Sequence, residues 1–210
     1  TGSERLRKTI NKPLTDEEIM SAARVAFGAG IPTLKLYFML GLPTETQEDI
    51  DAIFGLVEGI RRVFSFPRRI TVALSPFVPK AWTPFQWAPF EGISSLKHKA
   101  RGLEKRLKKL KGVEARTEGI VSSAVEAFLS RADRGDADVL EKSLSAGWKN
   151  IPLATIENAY RERGQNETFP WEIIDTGIDK SFLLDEYLRA LSGRVTPPCN
   201  VERCSACGLC

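Results

Sequence analysis

Cys199, Cys204, Cys207 and Cys210 are the chain's four cysteines, and all fall within the last dozen of its 210 residues. A C-x4-C-x2-C-x2-C cluster cannot staple distant segments as a disulfide framework does. Thiolates at two-residue spacing can instead converge on one metal centre, with a fourth ligand completing the set. Gly208 permits the tight turn between the last two. The four are expected to bind one metal centre, either a structural zinc or an auxiliary iron–sulfur cluster, which spacing does not distinguish. Four reduced free thiols are the plain alternative. A thiolate metal site implies a reducing compartment, hence a cytoplasmic protein. From Pro197 onward the apolar residues are only Val201, Ala206 and Leu209, so ligation would supply most of this segment's order.

A second set of residues sits at the ends of two strands. The run 33–40 reads as a strand by its aromatics and length, and Gly41-Leu42-Pro43 breaks it. Alternation puts Lys35, Tyr37 and Met39 on one face and Leu36, Phe38 and Leu40 on the other. The apolar set should meet helices and the mixed set should face a ligand. The run 70–75 repeats the pattern, with Ile70, Val72 and Leu74 suited to a covered face and Thr71, Ala73 and Ser75 to an open one. Ligands of parallel α/β sheets bind at the carboxyl ends of strands, which here are Gly41-Leu42-Pro43 and Ser75-Pro76-Phe77. The plainer reading is that Lys35 snorkels at a strand edge and Gly41 only makes the turn.

The third set is a basic helix at 96–111. It carries Lys97, Lys99, Arg101, Lys105, Arg106, Lys108, Lys109 and Lys111 against Glu104, with Leu96, Leu103, Leu107 and Leu110 at helical spacing. Such runs are usually solvated faces; the functional reading is contact with RNA or another anionic partner. His98, the one histidine, reads as a surface residue. Trp148, Tyr160 and Trp171 read as core, and Arg131, Asp133 and Arg134 as a local ion pair at a helix break.

These groups need elements to hold them. Thr15 and Glu18 form a capping box for a helix ending near Gly28 or Gly30. Residues 44–49 open a second helix with acidic residues where the helix dipole favours them. Ile50, Ile53, Phe54, Val57 and Ile60 give that helix one buried face. Strand, helix and strand then make a βαβ unit with parallel strands. The stretch 76–89 is a loop whose prolines exclude regular structure. Ser94 or Ser95 caps the basic helix, 113–117 is a third strand, and 119–191 is mostly helical.

The ordered set of motifs resembles a known family. Gly2-Ser3-Glu4-Arg5-Leu6-Arg7, the run from Lys35 through Gly41-Leu42-Pro43-Thr44-Glu45-Thr46, and Leu74-Ser75-Pro76-Phe77-Val78-Pro79-Lys80 look like the fourth, fifth and sixth strand motifs of a radical S-adenosylmethionine (SAM) core. Thr83-Pro84-Phe85-Gln86-Trp87, Leu129-Ser130-Arg131, Pro170-Trp171 and the terminal cysteines resemble radical SAM proteins that carry a cobalamin-binding domain. Methylthiotransferases share the general G-[FL]-P-x-E-T pattern. The resemblance implies a partial (β/α)6 barrel, a [4Fe-4S] cluster held by an early C-x3-C-x2-C motif, and reductive cleavage of SAM to a 5′-deoxyadenosyl radical. That motif is absent from the chain, so its cysteines are expected upstream. By resemblance, Gly2 and Ser3 lie near the amino-acid or ribose part of SAM. Met39, Gly41 and Leu42 lie near the adenine, and Ser75, Pro76 and Phe77 belong to the sixth-strand contact; Lys35 is expected to face the ligand from strand alternation alone. The family's usual Gly-Glu-Thr is Thr44-Glu45-Thr46 here, which puts close backbone approach at position 44 in doubt.

The expectation is therefore an α/β chain. Residues 1–118 would be the C-terminal part of a radical SAM barrel, 119–196 a helical region, and 197–210 a Cys-rich metal-binding tail. Such a chain is an enzyme only as part of a longer polypeptide, which its start without Met and without a leader also suggests. Its partners would be the upstream portion of the same polypeptide, an unidentified substrate and cobalamin held by an upstream domain. The rival reading is a non-catalytic RNA- or protein-binding module with a zinc knuckle. A net charge of +3 is too small to argue for nucleic acid on its own, and no apolar run is long enough to span a membrane.

Overall fold

The computed structural model describes residues 1–156, 160–200, 204 and 206–209. Helix α1 (Glu4–Thr9) opens on Ser3, whose hydroxyl accepts from the Leu6 N–H at 3.2 Å. Helix α2 (Asp16–Gly28) opens on the expected capping box, with the Thr15 N–H donating to Glu18 and the Glu18 N–H to the Thr15 hydroxyl. Strand β1 is Thr33–Leu40 and helix α3 is Gln47–Val63. The Thr46 N–H donates to Asp49 Oδ2 at 2.8 Å, so the acid in the first turn of α3 satisfies an amide that the helix itself cannot. Strand β2 (Arg69–Pro76), helix α4 (Ile93–Leu107) and strand β3 (Val113–Thr117) follow. Helices α5 (Ile120–Leu129), α6 (Ala137–Ala146), α7 (Leu153–Ile156) and α8 (Lys180–Leu191) complete the order.

The three strands form a parallel sheet in chain order, β1-β2-β3, with Leu36 opposite Val72 and Val72 opposite Ala115. Phe38, Leu40, Ile70, Val72, Leu74 and Ala115 are buried in one cluster with Ile53, Val57 and Ile60 of α3 and Leu96, Leu103 and Leu107 of α4. Both crossover helices therefore cover the same face. The other face carries Lys35, Tyr37 and Met39 from β1 and Thr71, Ala73 and Ser75 from β2, as the alternation predicts. Tyr37 is 70% exposed there.

A second apolar cluster caps the carboxyl end of the sheet. It joins Leu6, Leu42, Phe77 and Trp87 to Phe169, Trp171, Leu183 and Tyr187 from the C-terminal half. Trp87 stacks on Tyr187 with centroids 5.9 Å apart, and Phe169 on Trp171 at 4.8 Å. The Trp171 indole donates to Gln86 Oε1 at 2.8 Å. The C-terminal helices are thus packed into the α/β part through shared core.

Several expectations need correction. Helix α4 spans Ile93–Leu107 rather than 96–111. Gly92 in extended backbone opens it, and Gly112 at φ +76° turns the chain into β3. The proline-rich stretch contains a 3₁₀ turn, Pro84–Trp87, because Pro84 occupies the first turn, where its missing N–H costs nothing. Trp148 is 46% exposed, not core. Tyr160 stacks on the buried Phe90, and Trp171 is buried. Asp133 caps a short turn, accepting from the Gly135 N–H, while Arg131 turns inward and donates to the Ala88 carbonyl at 2.7 Å. Burial first, then the charges of Arg163 and Arg161, lower the Arg131 pKa to about 10. Among the described residues, no helix is long and apolar enough to cross a membrane.

Candidate functional site

Two polar networks hold the loop at the carboxyl end of β1, one to α4 and one to the N-terminal segment. In the first, Gly41 leaves β1 at φ +84°, a conformation that favours glycine. Its N–H donates to Glu45 Oε1 at 2.9 Å. The same oxygen accepts from Lys99 Nζ of α4 at 2.8 Å, and that ammonium also donates to Glu91 at 2.7 Å. The Glu45 side chain is 2% exposed. Burial pushes its carboxyl above the usual range, against the opposing hydrogen bond from Lys99. Burial alone would lower Lys99, but hydrogen bonds to two carboxylates hold its ammonium above the usual range. The two directions belong to one cluster, in which two acids share one ammonium.

In the second network, Asp49 accepts from the Ser3 hydroxyl and from the Arg5 guanidinium. Burial opposes its charge, yet the hydrogen bonds from Ser3, Arg5 and Thr46 outweigh it and hold the carboxyl below the usual range. Arg5 also donates to the Thr44 carbonyl at 2.7 Å and hydroxyl at 3.1 Å. Thr44 lies at φ +66°, a backbone conformation that favours glycine. Gly2 is held beneath α3, where a Cβ would fall on the backbone nitrogen of Ile53. One carboxylate in the first turn of α3 therefore ties the Gly2-Ser3-Glu4-Arg5 segment to the Gly41–Thr46 loop.

The residues expected to meet a cofactor divide into two groups. Lys35, Met39 and Ser75 line one cavity of about 490 Å³ together with Thr1, Tyr37 and Ile10. Gly2 and Ser3 lie beside it, in the segment that Thr1 begins. Gly41, Leu42, Pro76 and Phe77 are buried in packing. Glu91 and Leu96 fill the space beside Gly41, so this glycine serves the turn and close packing. Arg5, Glu45, Asp49 and Lys99 were missed as site residues. In the sequence Glu45 is part of the Gly41–Thr46 motif and an acid at a helix start, Asp49 is such an acid alone, and Lys99 is one of many cations. The one available signal was the glutamate within the Gly41–Thr46 motif.

The cavity follows the outer edge of β1. The Arg69 N–H bonds to the Pro32 carbonyl and the Phe77 N–H to the Leu40 carbonyl, so the even-numbered residues of β1 address β2. The parallel ladder then turns the amides of Lys35, Tyr37 and Met39 the other way. Among the described residues no strand pairs with that edge.

The tail runs back along α8. The Thr196 N–H donates to Asn11 Oδ1 at 3.0 Å, the Cys204 N–H to the Asn200 carbonyl at 2.8 Å, and the Asp179 N–H to the Cys207 carbonyl at 2.9 Å. Gly208, at φ +84°, packs against the Asp179 carboxylate. This brings Cys207 to the N-terminal end of α8. Cys199 is exposed, and Cys204 and Cys207 are half-buried. Cys210 lies outside the described residues. Among the described residues no three His, Cys, Asp or Glu side chains are gathered as metal ligands.

No family model matches the chain, and no solved structure matches it. An uncharacterized protein of Methanocaldococcus jannaschii is 35% identical over 142 residues, which are 68% of this chain and 31% of that protein. The matched stretch spans about a third of that relative's length.

Proposed function

We propose that residues 1–210 are the C-terminal part of a radical SAM enzyme, with β1, β2 and β3 as the last strands of a partial (β/α)6 barrel. One observation carries the reading. The strands are parallel in chain order with both crossover helices on one face, which is single winding. A (β/α) barrel is wound this way throughout, whereas a doubly wound sheet is so wound only within each of its halves. The bare face then becomes a barrel interior. The unpaired edge of β1 supports a further parallel strand beside it, supplied by the preceding part of the same polypeptide.

The residues of the cavity fit SAM. The Lys35 ammonium suits its carboxylate, the Tyr37 and Met39 side chains offer apolar contact, and the Ser75 hydroxyl offers a hydrogen bond. Gly2 and Ser3 would approach from the N-terminal segment, while Gly41, Leu42, Pro76 and Phe77 support the site from behind. Glu45 and Asp49 keep the two loops in place. Bound beside a reduced [4Fe-4S] cluster, SAM supplies hydrogen-atom abstraction. The cysteines for that cluster, and any cobalamin, belong to the preceding part of the polypeptide. Cys199, Cys204, Cys207 and Cys210 would hold a second metal centre, iron–sulfur or zinc, whose charge neutralises four crowded thiolates.

The test is anaerobic reconstitution. A polypeptide carrying residues 1–210 behind a C-x3-C-x2-C segment should form 5′-deoxyadenosine from SAM, and residues 1–210 alone should not. Product from residues 1–210 alone, or an unrelated domain in place of that segment, would overturn the reading. For the tail, elemental analysis should find about four iron with four sulfide, or about one zinc. Neither metal, with four titratable thiols in anaerobically purified protein, would remove the second centre.

A further inference from the structure

Helix α4 and the turn after it are crowded with cations, and the fold sorts them. Lys99 is bound by Glu45 and Glu91. Arg106 pairs with Asp51 and lies 4.5 Å from the Phe54 ring centroid, and Lys111 lies over Phe66. Lys97, Arg101, Lys105 and Lys108 are different: they are exposed, and among the described residues none has an ion pair. The first three recur every fourth residue, so they share one face with ~6 Å of rise between neighbours. Lys108, three residues on, extends the row. A groove of about 500 Å³ runs along this face, lined by Ser94, Lys97, His98, Arg101, Gly102 and Lys105. Gly102 leaves its floor open, since a Cβ there would meet nothing within 4 Å. Lys97 and Arg101 also border a second hollow that holds carboxylates. Glu104 and Glu118 line that hollow, where the Thr117 hydroxyl donates to Glu104.

We propose that this face of α4 binds the phosphodiester backbone of RNA, by charge and spacing and without reading sequence. A row of separate cations a few ångströms apart matches phosphates that succeed one another along a strand. No large apolar side chain lines the groove, which disfavours a membrane surface, where apolar insertion is needed, and a protein interface with an apolar centre. Ser94 and His98 place hydrogen-bonding groups among the cations. The ribose 2′-hydroxyl, which DNA lacks, is their complement. The proposal does not depend on radical chemistry and holds for the 210-residue chain itself.

The experiment is fluorescence anisotropy of the chain with a labelled single-stranded RNA of mixed sequence, across a salt series. With three or four phosphate contacts, log K should fall against log salt with a slope of about −2 to −3. Lys97→Ala, Arg101→Ala and Lys105→Ala should each flatten the slope by about 0.7. The triple variant K97E/R101E/K105E should lose at least about tenfold in affinity with an unchanged circular-dichroism spectrum. The control K8E/R24E, on α1 and α2, should bind as the parent does. Undiminished binding by the triple variant, or equal loss in the control, would overturn the proposal. Tighter binding to DNA of the same sequence, to anionic phospholipid vesicles or to a poly-glutamate peptide would overturn the assignment to RNA.

Discussion

Replacing Lys99 with methionine removes the cation from a buried cluster and leaves its volume nearly filled. In the native chain the ammonium donates to Glu45 Oε1 at 2.8 Å and to Glu91 Oε2 at 2.7 Å. The Lys99 and Glu91 side chains are 18% and 21% exposed and Glu45 only 2%. Removing one partner of a buried pair costs about 3–5 kcal/mol, because the other charge stays buried. Partial exposure of two members puts Lys99→Met near the lower end, at about 3 kcal/mol. The double variant E45Q/K99M leaves no charge in the deepest position, and the glutamine oxygen can still accept from the Gly41 N–H. It should recover about 2 kcal/mol of that loss. Urea unfolding followed by circular dichroism at pH 7 measures all three. The pH dependence has a definite sign. Burial raises the Glu45 carboxyl above its unfolded value of 4.5, so the folded chain holds that proton more tightly than the unfolded chain. Its contribution is present at low pH and is lost as pH rises through the folded pKa. Lys99 is raised above 10.5; its contribution is complete below that value and is lost at higher pH. Without Lys99 the carboxyl rises further, so the Lys99→Met deficit should shrink as pH falls toward 5. A loss below about 1 kcal/mol for Lys99→Met, or a double variant no more stable than the single one, would refute this account of the loop.

Three other outcomes are expected. Gly2→Ala should destabilise the chain by more than about 2 kcal/mol, because the new methyl meets the backbone of Ile53; a melting temperature equal to the parent's would show that the segment is not packed there. Thr44→Gly should stay within about 1 kcal/mol of the parent in urea unfolding, since relief of the positive φ at residue 44 offsets the lost hydroxyl contact with Arg5. The Arg161 hydrogen bond, with the Gly164 N–H and the Arg163 charge, lowers Glu167 to about 2 against the cost of burial. Its contribution is present above pH 4.5 and lost as pH falls through about 2, so carboxyl NMR should find Glu167 still ionised at pH 3.5, and a midpoint near 4.5 would contradict the pairing.

Local pattern determined much of this fold. The Thr15 capping box, the alternation of Lys35, Tyr37 and Met39 with Leu36, Phe38 and Leu40, and the apolar stripe of α3 all depend on neighbours within a few residues, and each was legible. Position 44 was half legible. Threonine in place of glycine was visible, but the positive φ and the Arg5 bridge that accommodate it were not. Tertiary structure decided which of many like residues matter. Helical spacing places Lys99 beside Leu96 and Leu103 and Lys97 away from them, but it names no partner for either. Only the packing of α4 against the Gly41–Thr46 loop turns one toward Glu45 and leaves the other in solvent. Asp49 likewise reads as an ordinary acid of a first helical turn until α1 brings Ser3 and Arg5 to it across more than forty residues. Leu42, Pro76 and Phe77 looked like open strand ends because the residues that cover that end, Trp171, Leu183 and Tyr187, come from the distant C-terminal half. Periodicity carries the information that a side chain is buried or exposed on its own element. The partner that meets it is set by long-range packing, which no local pattern encodes.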